Sequence, residues 1–201
     1  MKLHYRIGWL LMRGVARILW RYRIEGSNSI PASGPVIIAS NHISFWDPVL
    51  VGLGCPREVH FMAKEELFRN PLLRWLISAY NAFPVRRGIL DRQGLRKAAG
   101  LLREGNVLLV FPEGTRSLTG ELRQARPGVG YLACMSAAPV VPACIEGSNR
   151  LARHFATRSP IRLSFGEGIT PGDGDSREHY QRLADSIMIS IGRLRGGRGP
   201  V

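Results

Sequence analysis

The chain has 201 residues, with 28 Lys plus Arg against 15 Asp plus Glu, a net charge of +13. That length fits one domain with an appendage, and 45% apolar with 21% charged residues is a globular composition, which excludes disordered, collagen-like and disulfide-scaffold classes. Three scattered cysteines, Cys55, Cys134 and Cys144, lie in apolar runs, as expected of thiols in a reducing compartment. A charge of +13, carried by 25 Arg and only 3 Lys, leaves two partner classes, nucleic acid and anionic membrane.

Residues 1–24 read as an amphipathic membrane-docking helix. Lys2, Arg6, Arg13 and Arg17 fall on one helical stripe, Arg21 and Arg23 follow, and there is no acid. The longest uninterrupted apolar run, Ile7–Met12, is far short of the roughly 20 residues of a span. A span would place Arg13 and Arg17 near the bilayer centre at about 2.5–3.5 kcal/mol each. Lying in the interface avoids that cost, and Trp9 and Trp20 suit its depth. The competing reading packs the same helix on its own domain. Arg13 interrupts the apolar core that a signal peptide would need.

The remainder alternates strands with helices. Val36–Ala39 is expected as a buried strand, and Asp47-Pro48 as an N-cap with proline opening a helix to about Leu53. Strand Glu58–Ala63, helix Pro71–Tyr80 and strand Ala82–Val85 follow. Asp91–Arg103 has helical spacing and stops at Gly105, and Val107–Phe111 reads as another buried strand. Helix Pro127–Ser136 and strands Val140–Ile145 and Ile161–Phe165 come next. Asp175 and Glu178 have capping-box spacing before a last helix, which is expected to bury Tyr180, Leu183, Ala184, Ile187, Met188 and Ile191. A Gly/Arg-rich tail, residues 196–201, is expected to be disordered. This alternation implies an α/β fold with a mostly parallel twisted sheet flanked by helices, and functional groups just beyond the carboxyl ends of strands.

Three strand ends carry candidate chemistry. Asn41-His42-Ile43-Ser44-Phe45-Trp46-Asp47 follows the first strand, so a turn can bring the Asp47 carboxylate to one His42 nitrogen and free the other to take a proton. Phe111-Pro112-Glu113-Gly114-Thr115-Arg116-Ser117 offers a carboxylate, a hydroxyl, a flexible glycine and a guanidinium. Phe83-Pro84-Val85-Arg86-Arg87-Gly88 delivers two guanidiniums. Each has a plainer alternative, respectively a structural His with a capping Asp, a solvated Pro-Gly turn, and an exposed basic turn.

Taken in this order, the motifs resemble the 1-acylglycerol-3-phosphate acyltransferase family, glycerolipid acyltransferases with a His-x4-Asp motif. The resemblance covers roughly residues 35–145. Asn41-His42 to Asp47 is similar to the first motif and Phe83–Arg87 to the second, with Arg87 at its phosphate-binding arginine and Arg86 where an acid often stands. Phe111–Ser117 is similar to the third and Val140–Ala143 to the fourth, while Arg126-Pro127-Gly128 resembles a Lys-Pro-Gly found after the third. The resemblance makes residues 25–195 an acyltransferase domain. It implies transfer of a fatty acyl group from acyl-CoA or acyl carrier protein to a lysophospholipid hydroxyl, at the cytoplasmic face of the membrane, by a peripheral or monotopic protein. No cofactor beyond that co-substrate is implied.

The residues independently suit such chemistry. No Gly-x-Ser-x-Gly elbow occurs, and a thioester is already activated, so direct attack needs only a base, His42, oriented by Asp47. No metal is called for, and Asp173-Gly-Asp175 reads as a turn. Arg87 and Arg116 are expected to bind the acceptor phosphate. Glu113, with Gly114 and Thr115 beside it, is expected either at the glycerol hydroxyls or holding an arginine. Arg126 is expected at the donor's phosphates or the developing oxyanion. Phe45 and Trp46 face either lipid or the underside of their helix. The favoured acceptor is 1-acylglycerol-3-phosphate; the alternatives are the same fold acting on another lysolipid or acylated acceptor, and a non-catalytic binder of anionic lipid or nucleic acid. No zinc spacing, RNA-binding signature or basic helix-turn-helix pattern supports nucleic acid, so anionic membrane lipid is the expected partner.

Overall fold

The structure is a computed structural model that describes residues 2–86, 91–153 and 160–196. The tail from 197 therefore lies outside the described residues. Seven strands, β1 (Arg23–Glu25), β2 (Val36–Ser40), β3 (Val59–Lys64), β4 (Ala82–Val85), β5 (Val107–Val110), β6 (Val140–Glu146) and β7 (Arg162–Phe165), form one sheet. Its order is β1-β7-β6-β2-β5-β3-β4, and only the β6–β7 pairing is antiparallel. Among the described residues six α-helices accompany it: α1 (Leu3–Trp20), α2 (Asp47–Gly54), α3 (Pro71–Ala79), α4 (Arg92–Arg103), α5 (Gly128–Ser136) and α6 (Arg177–Leu194).

The strands read as short apolar runs because both faces of the sheet are covered. Along β2 the side chains alternate between two cores: Ile37 and Ala39 pack with α4, α5 and α6, while Val36 and Ile38 pack with α1 and α2. β2 lies between β5 and β6, so its carboxyl end sits at the middle of the sheet edge.

Several details differ from expectation. The three-residue β1 was not expected, and it is legible only through its pairing with β7. Asp47 is the first residue of α2 and its carboxylate turns back onto the preceding loop, so it does not cap the helix. The last helix is capped by Ser176, which accepts from the His179 amide at 3.1 Å, in place of the Asp175–Glu178 box. Tyr180 and Met188 are half-buried, with Tyr180 edge-on to Tyr131. Arg57 has a structural role beyond surface charge, because its guanidinium donates to the carbonyls of Pro31, Gly34 and Gly105.

α1 is anchored at one side. Tyr5 and Ala16 are buried, the Trp9 indole donates to the Gly52 carbonyl, and the Tyr5 hydroxyl accepts from the Val59 amide. Leu3, Ile7, Leu10, Leu11 and Ile18 remain exposed. Among the described residues no helix is long and apolar enough to cross a membrane.

Candidate active site

The loop after β2 carries the first two functional groups. His42 Nδ1 lies 2.9 Å from Asp47 Oδ2, and the same oxygen accepts the amides of Ile43 and Ser44 at 2.7 Å each. Both side chains are inside the protein: Asp47 is fully buried and His42 is 4% exposed. Three donors on one carboxylate oxygen fold the loop around Asp47, which fixes the imidazole by its Nδ1 and leaves Nε2 outside that contact. The imidazole stacks on Phe111, with ring centroids 3.9 Å apart and planes at 16°.

Other strand ends hold this loop. Asn41 donates to the Ile145 carbonyl at 2.9 Å and accepts from the Ile145 amide at 2.7 Å, which ties the end of β2 to the end of β6. Glu113, just past β5, accepts the amides of His42 at 3.1 Å and Arg123 at 3.3 Å. Burial pushes its carboxyl above the ordinary range, against the pull of those two amides. Glu113 thus holds backbone and, among the described hydrogen bonds, takes none from an arginine side chain, although the Arg123 charge also acts on it; its position is 3% exposed. The Ser117 amide donates to the His42 carbonyl at 2.7 Å, so the segment after β5 is laced directly to the His42–Asp47 loop.

The basic residues divide. Arg116 is exposed and lies over the Phe45 ring at 5.2 Å. Arg126 is brought to the same turn by its amide, which donates to Pro112, and by its side chain, which lies across Gly114. Gly114 has φ +70°, and a Cβ there would stand 2.9 Å from Arg126 Cδ. Thr115, between them, is half-buried. Arg86 pairs instead with Glu65, Nε to Oε2 at 3.1 Å, and is exposed. Arg87 lies outside the described residues. Cys55 and Cys144 are buried and free, with thiols pushed up to about 11 and about 12 by desolvation; half-buried Cys134 is raised too.

An apolar cavity of about 310 Å³ lies between α1, α2 and α3; Trp46 and Pro48, on either side of Asp47 in the chain, line it, while His42 and Asp47 do not. It is walled by residues such as Trp9, Pro48, Gly52, Phe61 and Ile77. Met12, Trp46, Val49 and Leu76 line it and are also exposed, so they form its mouth. A larger open groove, about 960 Å³, lies elsewhere, near Gly166–Ile169 and the end of α6, and includes neither His42 nor Asp47.

A buried imidazole held by a carboxylate thus stands at the end of a central strand. The acyltransferase family model matches residues 21–146. The chain is 30% identical over 163 residues to the 1-acyl-sn-glycerol-3-phosphate acyltransferase of Bacillus subtilis, covering 81% of this chain and 80% of that one. It is 26% identical to the Streptococcus pneumoniae enzyme of the same name, over 94% of this chain and 74% of that one. The crystal structure of the Thermotoga maritima 1-acyl-sn-glycerophosphate acyltransferase PlsC superposes with a TM-score of 0.68 at 27% identity, covering 87% and 72% of the two chains. The chain belongs to the acyltransferase family, among its 1-acylglycerol-3-phosphate acyltransferases.

Two contributions are not legible in the sequence. Asn41 stands in the first motif but its role as the clamp between β2 and β6 does not show there, and Ser148, which reaches the Asp47 carboxylate, lies in no motif. Each acts on a partner about a hundred residues away.

Proposed function

We propose that this protein transfers a fatty acyl group from a soluble thioester donor, acyl-CoA or acyl carrier protein, to the free hydroxyl of 1-acylglycerol-3-phosphate. The observation that carries the mechanism is the buried 2.9 Å contact between His42 Nδ1 and Asp47. It leaves Nε2 to take the hydroxyl proton as the oxygen attacks the thioester carbonyl. The tetrahedral intermediate then collapses with cleavage of the C–S bond, and the leaving thiolate recovers the proton from the imidazolium. Asp47 stabilises that imidazolium. Arg116 and Arg126, gathered on the Gly114 turn, bind the acceptor phosphate with charge-assisted hydrogen bonds, and Arg87 is assigned the same task by its motif. Glu113 is a positioning residue that fixes the His42 backbone.

The lipid is reached from a membrane surface. The apolar cavity receives an acyl chain, and its volume is at the lower end of the roughly 300–1,000 Å³ of small-ligand sites. Its mouth is flanked by α1 and by α3, a helix with no buried residue, on which Leu72 and Trp75 are 74% and 68% exposed. Phe45 and Trp46 stand exposed on the third side. Exposed apolar side chains on three elements, with exposed Arg6 and Arg17 on α1 and Arg74 on α3, match an anionic bilayer interface. The soluble donor places this surface at the cytoplasmic leaflet. Nucleic acid is not a partner in this reading.

The test is a donor-by-acceptor panel on purified protein with anionic liposomes, wild type against His42→Ala. Expected is acyl transfer to 1-acylglycerol-3-phosphate that falls by about 10²–10⁴-fold in the variant. Equal rates in the two proteins would overturn the base assignment.

A further inference from the structure

The His–Asp pair continues beyond Asp47. Ser148 Oγ lies 2.6 Å from Asp47 Oδ1, the oxygen that does not face His42. An ionised carboxylate only accepts, so the serine hydroxyl donates. Ser148 is 1% exposed, and it follows Gly147, whose φ of +82° turns the chain sharply after β6. Its place is set by the sheet. β2 and β6 run parallel with Ser40 opposite Ala143, and the Asn41 clamp on Ile145 extends that register past the last ladder pair. Three residues beyond Ile145, the chain delivers Ser148 to the Asp47 loop.

We infer that Ser148 is a positioning residue for acyl transfer, acting through Asp47. The Oδ2 oxygen is fixed by the amides of Ile43 and Ser44, but those bonds meet at one atom and leave the carboxylate free to swing about it. The hydroxyl on Oδ1 supplies the second point of attachment. It sets the plane of the carboxylate and therefore the direction in which Oδ2 meets His42 Nδ1. It also gives Oδ1 a donor at a place that water does not reach, as a fully buried anion requires. Ser148 is no nucleophile, because its hydroxyl is spent on Asp47 and it has no contact with His42 among the described hydrogen bonds.

This inference rests on the His42–Asp47 base reading, and the experiment separates the two. Acyl transfer is measured for wild type, Ser148→Ala, Ser148→Thr, Asp47→Asn and the Ser148→Ala/Asp47→Asn double variant, with circular dichroism and thermal unfolding recorded for each. Ser148→Ala is expected to lower kcat about ten-fold with both KM values within about two-fold of wild type. Ser148→Thr, which keeps the hydroxyl, recovers most of the rate. In the Asp47→Asn background, Ser148→Ala produces no further loss, because the residue through which it acts is already disabled. A crippled Asp47→Asn with Ser148→Ala at the wild-type rate, or with losses that multiply in the double variant, overturns the role of Ser148 alone. Asp47→Asn at the wild-type rate overturns the base reading, and the role of Ser148 with it. A kcat lost equally in Ser148→Ala and Ser148→Thr also overturns it, since the hydroxyl then has no part in the loss.

Discussion

Gly114→Ala separates two things that one glycine does. The residue closes the turn Phe111–Gly114, with its amide donating to the Phe111 carbonyl at 3.0 Å, and it stands at φ +70°. An L-residue in that region costs roughly 1–2 kcal/mol. For a chain of this size each kcal/mol shifts Tm by about 2–4 °C, so the alanine variant is expected to melt about 2–8 °C below wild type. The new Cβ also meets Arg126 at Cδ and Nε, both 2.9 Å away. That contact is with a flexible side chain, so its energetic cost is small, but the guanidinium must leave the turn. KM for 1-acylglycerol-3-phosphate is therefore expected to rise, with less effect on kcat. Gly114→Asn divides the contributions: asparagine tolerates the left-handed region, so Tm recovers, while its Cβ still displaces Arg126 and KM stays high. Differential scanning calorimetry and initial-rate kinetics read the two quantities. An alanine variant that melts with wild type refutes the strain argument, and an unchanged KM in both variants refutes the placement of Arg126 at the phosphate.

Three other outcomes follow from the structure. Asn41→Ala removes both buried bonds to Ile145 and should cost about 1–3 kcal/mol, read as a shift in urea midpoint at constant m; a wild-type midpoint would contradict the clamp. Thiols raised to about 11 and about 12 stay protonated at pH 8, so Cys55 and Cys144 should resist iodoacetamide in the native protein and react in urea; their labelling at the denatured rate in the folded enzyme would contradict their burial. Replacing Leu72 and Trp75 by serine should leave Tm within about 1 °C, since neither is buried, and weaken sedimentation with anionic liposomes; unchanged sedimentation removes α3 from the membrane surface.

Much of the fold was legible because its signals are local. Each helix and six of the seven strands show in runs such as Val107–Val110 or in the spacing of Leu95, Ala98, Ala99 and Leu102. The six-residue segment His42–Asp47 likewise contains both members of the buried His–Asp pair. What the sequence hid is set by register. β1 is three residues long and takes its identity from β7. Asp47 has the composition of a cap, yet its carboxylate bends back because Ile43 and Ser44 offer it two amides and His42 a ring nitrogen. Glu113 reads as a charge available to substrate, and only the closeness of β2 and β5 shows that it is spent on the His42 amide. Arg86 reads as a site cation until Glu65 is found beside it.

The central place of β2 sets a timetable for assembly. The members of the His42–Asp47 pair are five residues apart, but the groups that hold it lie 71 residues after His42, at Glu113, and 101 residues after Asp47, at Ser148. During synthesis or refolding the pair exists as sequence long before it exists as geometry. It is completed only when β5 and β6 have docked on either side of β2, contacts whose long loops make them slow to form. Enzymatic activity is therefore a late reporter of folding in this protein, and its recovery should trail the return of helical signal.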